Sequence, residues 1–126
     1  MNRPSPMALM FILLTVAFTV IGQLLVKQGM LEVGPSPTQA VSLILFAGRV
    51  LTNLKVILGL TCAFIAALSW TVAISRSDLS FAYPFTGLSI VLVIALSPLV
   101  FNENVSWSRW LGVLIVCIGI LVASRS

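Results

Sequence analysis

Histidine is absent from this 126-residue chain, which has only two cysteines and three carboxylate side chains. With no histidine, and with Cys62 and Cys117 each isolated in a long apolar stretch, a zinc site of the usual Cys/His kind is excluded. A disulfide between them would need matched Cα positions at membrane depth, so both cysteines read as free, small hydrophobes. The carboxylates, Glu32, Asp78 and Glu103, all fall between apolar runs rather than within them. Nothing resembles a nucleophile beside a base, so the chain reads as no enzyme, with no metal or other cofactor.

What is present is mostly hydrocarbon. Hydrophobic residues make up 60% of the chain and charged residues 8%, with a mean hydropathy of +1.17, well outside the range of soluble globular domains. The solvent is therefore a membrane. In a soluble protein a net charge of +4 would suggest nucleic acid, but here the basic residues stand singly between apolar runs. They read as topology signals and contacts to anionic membrane lipid, with no nucleic-acid partner.

A bilayer-spanning helix needs about 20 apolar residues, and four runs meet that length, approximately 7–27, 56–75, 79–101 and 105–123. The first follows "MNRPSP", whose prolines suit an extended leader. Its apolar stretch is about twice the length of a signal-peptide core and no cleavage site follows, so it reads as a retained helix. The connection from Gly29 to Lys55 contains an apolar segment, 38–51, that Arg49 interrupts before it could cross a bilayer. It reads as an interfacial or reentrant helix. The later links, "SRSD" and "NENVSWS", are short and predict antiparallel neighbours. The expectation is an all-α membrane protein: residues 1–126 as a single four-helix transmembrane domain, with one short helix between the first and second spans. No repeat at half-length is visible, so if these helices form half of something larger, the other half comes from another chain.

Lysine and arginine counts barely set an orientation. Arg3, Arg76 and Arg125 fall on one side, and Lys27, Arg49, Lys55 and Arg109 on the other, three against four. Either the chain inserts both ways and forms an antiparallel pair, or a partner subunit or the placement of Arg76 decides, or one orientation wins for reasons the count misses.

Thr15, Thr19, Gln23 and Lys27 recur every fourth residue, which draws a polar stripe along the first span. Such a stripe faces a bundle interior or a water-filled cavity rather than lipid. Two readings stand: substrate contact, or threonines bonded to their own backbone, Gln23 as glue between helices and Lys27 reaching to the headgroups. In the third span Tyr83, Pro84, Thr86 and Gly87 cluster in the first two turns. There a proline leaves a carbonyl unpaired, and Tyr83 offers a ring and a hydroxyl, or simply anchors the helix at the interface. The candidate substrate-binding residues are Thr19, Gln23, Lys27, Tyr83 and Thr86. In the fourth span Gly112 and Gly119, seven apart and on one face, are a candidate dimer interface or a packing face within the same chain.

"GQLLVKQG" in the first span, "LSFAYPFTGLS" opening the third and "FNENVSWSRWLGVLIVCIGILVAS" over the fourth together resemble the drug/metabolite transporter superfamily, in its EamA-like and small multidrug resistance branches. Among four-helix members the chain is most similar to subunits of the undecaprenyl-phosphate aminoarabinose flippase, in the "AYP" of Ala82 to Pro84 and the "GQ…KQ" before it. The drug exporters carry an essential glutamate just before a "VIG" like Val20 to Gly22, and this chain has Thr19 there. The resemblance implies a flippase or transporter subunit that moves a polyprenyl-phosphate-linked sugar, or a similar amphipathic lipid, across the bacterial inner membrane. It further implies a homodimer or a heterodimer with a similar small subunit. A proton-coupled exporter of cationic compounds is the alternative, and a membrane scaffold for a glycosyltransferase is a further one.

Overall fold

The computed structural model describes residues 6–125. They are mostly helical, with no strand among them: α1 (Pro6–Val33), α2 (Ala40–Thr52), α3 (Leu54–Ser75), α4 (Leu79–Ala82), a 3-10 turn (Tyr83–Phe85), α5 (Thr86–Phe101) and α6 (Trp107–Arg125). Helices α1 and α3, the continuous stretch Leu79–Phe101 and α6 are each long and apolar enough to cross a membrane. The 13-residue α2 is apolar but rises only about 20 Å, short of the hydrocarbon thickness. The leader read at the N-terminus lies, apart from Pro6, outside the described residues, as does Arg3 of the orientation count. Pro6 is the first described residue of α1.

The first helix continues past its apolar run through "GMLEV" and stops at Gly34. Met, Leu and Glu sustain a helix; the Gly34 N–H still donates to the Met30 carbonyl at 2.8 Å, and its φ of +98° turns the following chain out of the helix. Glu32 therefore sits in the last turn of a helix. Asn102, at φ 55°, ends α5 in the left-handed conformation that asparagine tolerates.

Helices α1 and α3 make the most intimate pair in the molecule. Ala8, Ile12, Thr15, Val16 and Val20 form the buried stripe of α1, and Val56, Gly59, Ala66, Ser69 and Ala73 that of α3, both at helical spacing. The α3 stripe is almost entirely small residues. Lipid tails are as apolar as leucine, so close backbone approach rather than hydrophobicity selects the packed face. Gly22 and Gly59 meet at this crossing, and Gly29 makes room for Val56 and Asn53 nearer the α3 N-terminus.

The short "SRSD" link does not make its two spans close neighbours. The third span meets α3 mainly through α4, then runs along α1, while α6 lies outside against α5 and the 3-10 turn. Pro84 cannot donate to an α-helical ladder, so the span begins as one α-turn, tightens to 3-10 and restarts at Thr86, with the backbone right-handed helical throughout. Ile12, Ala73 and Ala82, fully buried and surrounded by Phe11, Trp70, Phe81 and Phe85, lock this junction to the start of α1.

Both cysteines are free, and Cys62 packs beside Gly22. At the other end of the α1–α3 pair, Asn53 caps α3 by accepting from the Lys55 and Val56 N–H groups at 3.0 and 3.2 Å. Lys55 Nζ pairs with Glu32 Oε2 at 2.8 Å.

Candidate functional site

Between the aromatic junction and the Gly29 contact lies an open cavity of about 480 Å³, within the usual size range of small-ligand sites. It extends along α1 from Thr15 to Val26, about 16 Å of helix rise. Its two long walls differ. Helix α1 supplies Thr15, Thr19 and Gln23, the polar stripe visible in the sequence, while α3 supplies Gly59, Leu60, Ala63, Ala66 and Ala67. Trp70, Tyr83 and Thr86 close one end, and the Gly22–Gly59 crossing lies at the base.

Four of the five substrate-binding residues expected from sequence, Thr19, Gln23, Tyr83 and Thr86, thus line one space although they come from different spans. Lys27 does not line it. It lies one turn beyond Gln23 on α1, solvent-exposed and without an ion pair among the described residues.

The hydroxyls divide in two. Thr15 Oγ1 donates to the Phe11 carbonyl at 2.7 Å, and Thr86 Oγ1 to the Tyr83 carbonyl at 2.6 Å. Those groups are occupied locally. Among the described residues, the side chains of Thr19, Gln23 and Tyr83 make no hydrogen bond. They are the donors and acceptors open to a ligand. The Tyr83 ring packs edge-on against Trp70, with centroids 5.7 Å apart and planes at 82°. No carboxylate, lysine or arginine lines the cavity.

Trp70 and the alanines of α3 were not singled out from sequence. The signal was there: Gly59, Ala63, Ala66, Ala67 and Trp70 share one helical face, on which four small side chains precede one large ring. Gly112 and Gly119 face open space, with nothing within 4 Å of where a Cβ would stand. Packing of these glycines within the same chain, one of the two readings above, is not what this structure has.

Helices that can span a membrane, gathered beside an uncharged polar cavity, define a small multi-pass membrane protein of transporter type. The sequence pattern of the EamA-like transporter family matches residues 1–125, and the chain belongs to that family. It is a multi-pass protein of the inner membrane. Among curated proteins it is similar to the probable 4-amino-4-deoxy-L-arabinose-phosphoundecaprenol flippase subunit ArnE of Pseudomonas fluorescens, at 28% identity over 94% of this chain and 98% of the relative. It is 32% identical to the probable subunit ArnF of the same flippase from Sodalis glossinidius, over 87% of this chain and 85% of that one. With the ArnE subunit of Pseudomonas savastanoi the identity is 32% over 54% of this chain, which spans 60% of that relative's length. No solved structure matches the chain.

Proposed function

We propose that the chain is a subunit of a flippase that moves a polyprenyl-phosphate-linked sugar, or a similar amphipathic lipid, across the bacterial inner membrane. The relatives bear the names of flippase subunits for such a lipid. The observation that carries the reading is the cavity itself: uncharged hydrogen-bonding groups from α1 and Tyr83, an α3 wall of glycine and alanines beside Leu60, and no fixed charge in the lining. A hydroxylated headgroup finds partners there. A lone cation finds no carboxylate counter-ion, and a proton no carboxylate carrier, which favours lipid flipping over proton-coupled drug export. In this reading Thr19, Gln23 and Tyr83 meet the headgroup, with Thr86 shaping the end wall. Lys27, one turn outside, meets the phosphate, while the isoprenoid tail stays in lipid. No bond is made or broken, so the chain acts as a transporter and not an enzyme. Its partner is a second small subunit, identical or similar, joined through Gly112 and Gly119.

The test is reconstitution of the purified protein in vesicles, with and without a similar small subunit. Movement of a sugar-bearing isoprenyl phosphate between leaflets without a proton gradient supports the proposal. Proton-driven uptake of organic cations would replace it with the exporter reading, and neither activity would favour a scaffold.

A further inference from the structure

We propose that Trp70 is the residue that recognises the sugar of the transported headgroup, its indole acting as the platform on which a pyranose ring lies. This inference rests on the flippase reading and adds to it a residue and a subsite.

Ala66 and Ala67 precede Trp70 by one turn and Ala63 by two, so over these two turns the cavity-lining face of α3 beside the indole carries nothing larger than a methyl group. The space beside it is therefore built in by sequence. A second observation is independent of that space. Trp70 is half-buried, held against Ile12, Ala73 and Ala82, and its ring is fixed by the perpendicular contact with Tyr83. A fixed ring loses little freedom when a ligand binds. The third concerns chemistry. A pyranose has faces of C–H groups, polarised by the ring and hydroxyl oxygens, and a rim of hydroxyls. The π face of an aromatic ring is electron-rich and attracts such C–H groups, and an ammonium substituent still more. The rim hydroxyls then need the donors and acceptors that the opposite wall leaves unused, the Thr19 hydroxyl and the Gln23 amide. An aromatic platform facing a polar wall distinguishes a sugar from the bare phosphate and from the isoprenoid, neither of which presents both surfaces.

Trp70 shares the chain with Trp107 and Trp110 alone. Both lie at the exposed start of α6, outside the cavity lining. The double variant Trp107→Phe/Trp110→Phe therefore leaves Trp70 as sole reporter. In detergent it is titrated with farnesyl phosphate and with farnesyl phosphate carrying 4-amino-4-deoxy-L-arabinose. A saturable change in Trp70 emission with the glycosylated probe, larger than with the bare one, is the expected result. Trp70→Leu should then weaken binding of the glycosylated probe about tenfold, while binding of the bare probe changes less than about twofold. Trp70→Phe, which keeps a ring, should recover most of the loss. Because Trp70 also packs against the aromatic junction, the emission of the intact residue keeps the test valid if Trp70→Leu does not fold. Equal emission changes with the two probes, or equal weakening of both by Trp70→Leu, would overturn the sugar platform and leave a lipid-phosphate site standing. Binding of neither probe would overturn the platform and the flippase reading together.

Discussion

Gly22 and Gly59 face each other across the α1–α3 crossing so closely that a Cβ on Gly59 would stand 2.7 Å from the Gly22 carbonyl oxygen, and one on Gly22 2.8 Å from that of Gly59. The obstacle on each side is backbone, which cannot rotate away. Both glycines also line the cavity, so the contact that joins the two central helices sets the separation of the cavity walls as well.

Gly59→Ala should therefore cost about 1 to 3 kcal/mol, the usual range for overpacking, whereas Gly48→Ala, with nothing near its Cβ position, should be neutral or slightly stabilising because alanine is the better helix former. Thermal or denaturant unfolding in detergent measures both. Equal stability of Gly59→Ala and the parent protein would mean that the crossing is looser than described.

At the end of the same pair, Asn53 and Glu32 make contributions of different kinds. Asn53 satisfies two N–H groups of α3 and also donates from Nδ2 to Glu32 Oε1 at 3.4 Å. Glu32 and Lys55 form an ion pair whose side chains are 48% and 47% exposed. Loss of a helix cap costs about 1 kcal/mol, while an exposed pair contributes less and is screened by salt. Asn53→Ala should thus lower unfolding stability at any ionic strength. Glu32→Gln should show a smaller loss that disappears in about 1 M NaCl, where the screening length falls to about 3 Å. A larger and salt-resistant effect at Glu32 would reverse this ranking.

The fourth-span glycines test assembly. Gly112 and Gly119 lie seven apart on α6, and among the described residues nothing stands within 4 Å of a Cβ at either position, so leucine at both positions should leave the folded monomer intact. The same double substitution should abolish crosslinked dimers in membranes, because close helix approach depends on the missing side chains. Crosslinking that persists unchanged would remove this face from the assembly.

The helices and the polar stripe were legible in the sequence because their physics is local. Run length against bilayer thickness gives the spans, and a fourfold spacing places Thr15, Thr19 and Gln23 on one face. The cavity's other wall was harder to see. Ala63, Ala66 and Ala67 carry no polar signal, and only their regular small size, ending in Trp70, marks a packed face in a helix that is apolar all round. Neighbour relations were harder still: a four-residue link between α3 and the third span suggests adjacent partners, but that span packs mainly along α1. Lys27 shares the stripe's spacing, yet the cavity closes at Val26, one residue before it.

The position of Lys27 gives the stripe its most discriminating experiment. Gln23 lines the cavity and has no side-chain partner among the described residues, so Gln23→Leu removes no helix-to-helix hydrogen bond, a loss that would cost about 0.6 to 2 kcal/mol in a membrane. Its stability should remain close to that of the parent, and any fall in transport can then be assigned to the headgroup. Lys27 lies about 6 Å of helix rise further along, where a point charge can meet a phosphate while the sugar occupies the cavity. An anion brought to that depth is costly unless a cation accompanies it. Lys27→Gln should therefore cause a large loss of transport that Lys27→Arg partly restores, since both cations bind phosphate but differ in geometry. If Lys27 only extends to the headgroup region of the bilayer, the glutamine variant will transport nearly as well as the parent. A folded, fully active Gln23→Leu protein would in turn leave the stripe without a role in the headgroup's passage.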